Sequence, residues 1–162
     1  MTGSGTPPEI EDWFAGRGWR IRDHQRAMLE ASDRGDHALL VADTGAGKTL
    51  AGFLPTLAAF TPSRLGDLTP PDGLHTIYVS PLKALAQDVA RNLLAPIDEM
   101  GLPIRVETRS GDTSSDRKRR QREKPPHVLL TTPESLSLLL SYPESFEIFA
   151  GVRRIVIDEI HA

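Results

Sequence analysis

The sequence predicts an α/β domain with a mostly parallel sheet and helices on both of its faces, and three observations carry that expectation. Short β-branched or apolar runs alternate with longer helix-like stretches, a glycine-rich turn joins the first run to its helix, and the last run, Ile155-Val156-Ile157, ends on two carboxylates. Strand then helix, repeated, requires crossover connections, and these leave successive strands parallel. The 162 residues suffice for one domain of ordinary size, and 39% hydrophobic with 25% charged residues separates the chain from disordered and fibrous classes. Cys is absent, which excludes disulfides, thiolate metal sites and a cysteine nucleophile and fits a reducing, cytoplasmic setting. No run approaches the roughly 18 apolar residues of a membrane span, so no membrane partner is expected.

Strands are expected over 38–42, 76–80, 104–108, 128–132 and 154–158, and helices over 50–60, 82–100, 113–123 and 133–141. Ahead of the first strand, residues 1–36 form an N-terminal extension. In it Asp23 is placed to cap a helix through Gln25, Met28 and Leu29 to Gly35, and Trp13 and Phe14 read as packing residues. Residues 61–74, with three prolines, two glycines and two aspartates, read as a surface loop. Thr132 is placed to cap the helix that begins with Pro133 and carries Glu134 in its first turn. The net charge is only −3, yet Arg117, Lys118, Arg119, Arg120, Arg122 and Lys124 crowd one stretch whose spacing suits a solvated helix face. The domain over 37–162 reads as incomplete, because nothing helical follows the last strand.

The segment Ala42-Asp43-Thr44-Gly45-Ala46-Gly47-Lys48-Thr49 follows a strand and opens a helix, the context of a phosphate-binding loop. Small residues let the backbone curl so that successive N–H groups from Gly45 to Thr49, Ala46 and Gly47 among them, point into one concavity suited to a polyphosphate. Lys48 then reaches the β and γ phosphates, and the Thr49 hydroxyl is a ligand for Mg²⁺, which prefers oxygen. Ala42 stands where the usual pattern has its first glycine. The alternative is a glycine-rich turn with an exposed lysine.

The second signal is Asp158-Glu159-Ile160-His161. Carboxylates at the C-terminal end of a parallel strand lie where open α/β sheets bind ligands. Asp158 is suited to hold Mg²⁺ through water, and Glu159 to orient and deprotonate an attacking water. His24, His37, His75 and His127 show no ligand spacing.

Taken in order, these motifs resemble the first, RecA-like motor domain of superfamily 2 helicases of the DExH type, and in wording the Lhr (large helicase-related) group with its ligase-associated branch. The resemblance rests on Gly18-Trp19 with Arg22 to Gln25, the phosphate loop, Ser80-Pro81-Leu82-Lys83-Ala84-Leu85, Arg109-Ser110-Gly111-Asp112-Thr113, Thr131-Thr132-Pro133-Glu134-Ser135 and the final Asp-Glu-Ile-His. It implies an ATP-driven DNA translocase using ATP and Mg²⁺. Gln25 would pair with the adenine edge and Trp19 or Arg22 would stack on the base. Ser80, Pro81, Lys83, Arg109, Gly111, Thr131, Thr132, Pro133 and Glu134 would grip the nucleic-acid backbone, and His161 would couple the two sites. It also implies a second motor domain supplying arginines to the γ-phosphate, without which hydrolysis is slow. RNA as substrate, another superfamily 2 translocase, and a binding module without turnover are the rival readings.

Overall fold

Four of the five predicted strands join one sheet, while the helices obey their capping signals more closely than their apolar periods. The computed structural model describes residues 5–43, 47–81 and 83–160. The chain divides into two compact units, one of Met1–Pro70 with Ala95–Pro103 and the other of Pro71–Leu94 with Ile104–Ala162.

The first unit is helical. It holds α1 (Pro8–Gly16), α2 (Asp23–Arg34), α3 (Lys48–Ala59), α4 (Pro62–Leu65) and the end of α5 (Lys83–Met100). Proline at its first position and Glu9 and Glu11 in its first turn favour the start of α1. The end of α2 is Gly35 in the left-handed conformation, its N–H donating to the carbonyls of Ala31 and Ser32. Arg22, rather than Asp23, occupies the cap position of α2. Glu9 accepts from both the backbone N–H and the hydroxyl of Ser63 at 2.7 Å, which ties α1 to α4, and Arg64 donates two bonds to Asp33 at 2.9 and 3.0 Å. Trp13, Phe14 and Trp19 meet edge to face, with ring centroids 5.2 to 6.4 Å apart.

The second unit is built on β1 (Thr76–Val79), β2 (Val106–Arg109), β3 (Val128–Thr131) and β4 (Arg154–Ile157). Among the described residues these form a four-stranded parallel sheet in the order β2-β3-β1-β4. Every residue of the two central strands, β1 and β3, is buried, whereas β4 at the edge leaves Ile155 and Ile157 about 60% exposed. Ile77, Val79 and Leu129 share one face with Leu139 of α7 (Pro133–Leu140) and Ile148 of α8 (Ser145–Phe149). In register with Val156, Tyr78 projects to the opposite face. The connection between β2 and β3 is α6 (Ser115–Glu123), capped by the Ser114 hydroxyl accepting from Arg117 N–H. Thr132 caps α7 by accepting from Ser135 N–H, as the sequence predicts.

Three expectations need correction. Residues 38–42 are not a strand: among the described residues they pair with none, and Leu39 and Val41 are 73% and 84% exposed. An apolar run becomes a strand only where a neighbour takes up its backbone groups. Within the expected loop 61–74, Pro62 starts the single turn α4, and α8 follows Pro143 without an apolar period long enough to announce it. The expected strand 104–108 is shifted to Val106–Arg109.

His75, immediately before β1, supplies a pH-dependent element of stability. Burial first, then the nearby Arg154, His127 and Arg153, push its pKa down to about 4, so the folded chain holds it neutral. The unfolded chain takes up that proton near the ordinary value of 6.5. Stability is therefore full above pH 6.5 and falls as the pH drops toward 4, which denaturant unfolding across that range measures; in His75→Asn the slope becomes shallower.

Candidate functional site

Of the phosphate loop, Thr44, Gly45 and Ala46 lie outside the described residues, and Gly47 to Thr49 are placed. Gly47 is the cap position of α3, with φ 75° and ψ 33°, and no side chain among the described residues caps the helix. The first intrahelical bond runs from Ala51 N–H to Gly47 C=O at 3.0 Å. The N–H groups of Lys48, Thr49 and Leu50 therefore stand at the positive end of a 12-residue helix, an arrangement suited to phosphate. Lys48 is exposed and Thr49 half-buried. Two constraints require glycine at 47: the left-handed φ, and a Cβ there would lie 2.8 Å from Nε2 of Gln25.

Gln25 sits 3% exposed on α2. Its Oε1 accepts from Arg22 N–H at 2.9 Å and its Nε2 donates to the Gly47 carbonyl at 3.4 Å. The amide expected to meet adenine thus braces the start of the phosphate-loop helix. Nearby in sequence, Trp19 is half exposed, and the Arg17 guanidinium lies 4.9 Å from the Trp13 ring and 5.0 Å from the Trp19 ring. Glu99 takes a 2.8 Å bond from Trp13 Nε1 and pairs with Arg17, so this aromatic platform has its cation already in place.

In the second unit the sheet brings the chain to Asp158 and Glu159. The ladder of β4 continues one step, with Asp158 N–H donating to Val79 C=O at 2.9 Å. The Tyr78 hydroxyl donates to Asp158 Oδ2, and Asp158 Oδ1 accepts from Glu159 N–H at 2.9 Å. Glu159 adopts φ 54°, the left-handed region that costs a non-glycine residue roughly 1–2 kcal/mol. Burial, followed by the Asp158 carboxylate, pushes the Tyr78 pKa far above its ordinary value, which keeps the hydroxyl a donor. Nothing in the sequence singles out Tyr78 beyond its place in an apolar run; its alignment with Val156, two residues before Asp158, is what makes the contact. His161 lies outside the described residues.

The donor set fits Mg²⁺ that arrives with phosphate oxygens. Asp158 and Glu159 offer oxygen ligands, and among the described residues no three carboxylates or imidazoles gather into a self-sufficient metal cage.

The predicted nucleic-acid residues separate into two classes. Ser80 is fully buried with its N–H on Thr131 C=O at 3.1 Å, and the Thr131 hydroxyl, 1% exposed, donates to Arg109 C=O at 2.9 Å. Arg109 is 3% exposed and donates to Lys118 C=O at 3.1 Å and Gln121 Oε1 at 3.3 Å, so it braces β2 against α6 instead of adding charge to the surface. Thr132 serves α7 as its cap. The sequence does not distinguish these, because a motif gives residue type and order, not burial. Pro81, Gly111, Pro133 and Glu134 are exposed, and they follow β1, β2 and β3 on the sheet edge where Asp158 follows β4. Lys83 is the first residue of α5; its side chain lies outside the described set.

Gly47→Ala forces a side chain into left-handed backbone against Gln25 and lowers stability by about 1–2 kcal/mol, measurable by denaturant unfolding. Arg109→Ala removes the donor to Gln121 Oε1 and one of the donors to Lys118 C=O, so it lowers the melting temperature, which thermal unfolding followed by circular dichroism measures.

A family model described as DEAD/DEAH box helicase matches residues 22–162. The chain is 39% identical over 96% of its length to the ATP-dependent helicase Lhr-Core of Methanothermobacter thermautotrophicus and 40% identical over 93% to the Lhr helicase/probable uracil glycosylase of Mycolicibacterium smegmatis. It spans 19% and 10% of those relatives. Among solved structures, the Mycobacterium smegmatis helicase Lhr bound to ssDNA and AMP-PNP superposes with a TM-score of 0.81 at 37% identity, covering 96% of this chain and 20% of that one. The helicase MrfA bound to DNA and AMPPNP superposes with a TM-score of 0.80 at 30% identity, covering 99% and 22%. With the parallel sheet, the glycine-capped α3 and the carboxylates after β4 in the order such enzymes require, the chain belongs to the DEAD/DEAH box helicase family.

Proposed function

We propose that this chain is the first motor domain of an ATP-dependent DNA translocase of the Lhr type, binding Mg-ATP and the backbone of one DNA strand. The observation that carries this reading is the presence in one chain of an N-terminus of α3 that begins at a left-handed Gly47 and that no side chain among the described residues caps, and of a carboxylate at the end of β4 whose two oxygens are both held by donors. One supplies phosphate binding and the other the metal-side acid that nucleoside triphosphate hydrolysis needs.

In this reading the N–H groups of Thr44 to Thr49, through Gly45, Ala46, Gly47 and Lys48, cradle the phosphates and the Lys48 ammonium neutralises their charge. Thr49 and Asp158 are the residues that would hold Mg²⁺, which when bound neutralises charge on the phosphate oxygens. Glu159 orients the attacking water and accepts its proton. The exposed loop ends at Pro81, Gly111 and Pro133 meet the nucleic-acid backbone, with Gly111 and Glu134 offering N–H groups and Lys83 its charge, giving sequence-independent and salt-dependent binding. Ser80, Arg109, Thr131 and Thr132 hold those loop ends in place. Trp19 and Arg22 flank the base, Gln25 reads adenine if its amide leaves Gly47, and His161 couples the two sites.

DNA is favoured over RNA because the solved Lhr and MrfA helicases that superpose on this chain are both bound to DNA. Since the chain spans about a fifth of those structures, the second motor domain and its arginines belong to the rest of the polypeptide in this reading, and 37–162 to the first. No helix among the described residues is long and apolar enough to cross a membrane.

Lys48→Ala removes the cation facing the β and γ phosphates, and DNA-stimulated ATP hydrolysis by the full-length protein falls by at least about a hundredfold, the scale of losing one preorganised electrostatic contact. A steady-state phosphate-release assay checks it. Hydrolysis at the parental rate would refute the assignment of the loop.

A further inference from the structure

Tyr78 is the largest fully buried side chain of the described residues, and its hydroxyl is the one feature of it that packing does not need. A phenyl ring fills the same core space, and burying a hydroxyl is unfavourable unless it finds a partner. It finds the Asp158 carboxylate, just past the end of β4 and two residues beyond the position in register with Tyr78. The tyrosine side chain reaches along the sheet from mid-strand to its C-terminal edge. Tyr78 is 1% exposed, and close packing confines its ring. The second oxygen of Asp158 accepts from Glu159 N–H, and Glu159 itself is held at a positive φ. With both oxygens held by donors from two directions, the carboxylate plane is fixed, and with it the turn that carries Glu159.

We propose that Tyr78 is a positioning residue of the hydrolytic centre: its hydroxyl holds the Asp158 carboxylate in the orientation from which that group takes Mg²⁺. This rests on the reading of Asp158 as the metal-side acid. In this proposal Tyr78 is a ligand of neither nucleotide nor metal. It acts through Asp158, as the outer partners of metal-binding carboxylates do.

The test uses the full-length protein and reads the Mg²⁺ concentration that gives half-maximal tightening of a fluorescent ATP analogue, with nucleotide affinity in excess chelator as the baseline. In Tyr78→Phe the half-maximal Mg²⁺ concentration rises about tenfold, the lower end of what losing such a partner does to metal affinity. The chelator baseline stays unchanged. ATP turnover at saturating Mg²⁺ falls less than turnover at limiting Mg²⁺, with KM for ATP unaltered at saturation. Should the phenylalanine protein fold poorly, p-methylphenylalanine at 78 keeps the volume without the donor, and p-aminophenylalanine keeps ring and donor together. The first reproduces the Mg²⁺ defect and the second restores most of the parental value.

Asp158→Asn separates the two readings. If it leaves Mg²⁺-dependent binding and hydrolysis intact, the assignment of Asp158 fails, and Tyr78 with it. If Asp158→Asn abolishes both while Tyr78→Phe and the p-methyl variant keep the parental Mg²⁺ dependence within about twofold, the Tyr78 proposal alone is overturned.

Discussion

The central position of β1 is the constraint from which the second unit follows. Pairing with β3 on one side and β4 on the other, it must be apolar on both faces, and all four of its residues are buried. That burial fixes the register of β4 through Thr76↔Arg154 to Val79↔Ile157, and the register decides that Asp158 leaves the sheet beside Val79 rather than one residue earlier or later. A slip by one residue would turn Asp158 to the other face of the sheet, away from the Tyr78 hydroxyl. The loops after β1, β2 and β3 are brought to the same edge by the same parallel ladders. The chemistry of this edge is therefore a by-product of packing in the middle of the sheet.

Residues that have to be buried and residues that have to be reached are mixed within each motif, and this decides how much of the fold and the site is legible in the sequence. Asp158 and Glu159 are legible because an apolar run that ends at once on two carboxylates marks the ligand-facing end of a parallel strand. Gly47 is legible because a helix start without a capping side chain needs small residues before it. Thr132 is legible because its hydroxyl, the following proline and Glu134 all favour the same boundary. Arg109 is not, because an arginine beside a Ser-Gly turn reads as surface, and only the partners Lys118 and Gln121 on α6 show that its charge is internal. Leu39 and Val41 mislead for the opposite reason: their apolarity predicts a strand, but strand formation depends on a partner that local pattern does not reveal.

The basic stretch on α6 shows how a charge cluster is absorbed. Arg119 lies 3.7 Å from Asp116 and 3.9 Å from Glu123, one helical turn to either side, and Arg117 lies 3.9 Å from Glu107 on β2. Arg122 sits over the Tyr142 ring at 4.1 Å. These exposed pairs contribute little individually, on the order of 0.2–0.5 kcal/mol for the helical ones. Their effect is to balance charge locally, which favours the solvated-face reading of the stretch over a dedicated nucleic-acid surface.

The cluster of Trp13, Arg17 and Trp19 has an optical consequence. The chain has two tryptophans, and both lie in that one cluster, their rings perpendicular with centroids 5.9 Å apart. Tryptophan emission excited at the red edge of the absorption band comes from a single place in the chain, immediately before the helix that carries Gln25. One of the emitters is half open to solvent and the other is anchored by Glu99, so a quencher in solution and a shift in the anchoring bond would act on separable components of the decay. The domain thus carries a built-in reporter in the segment leading into α2.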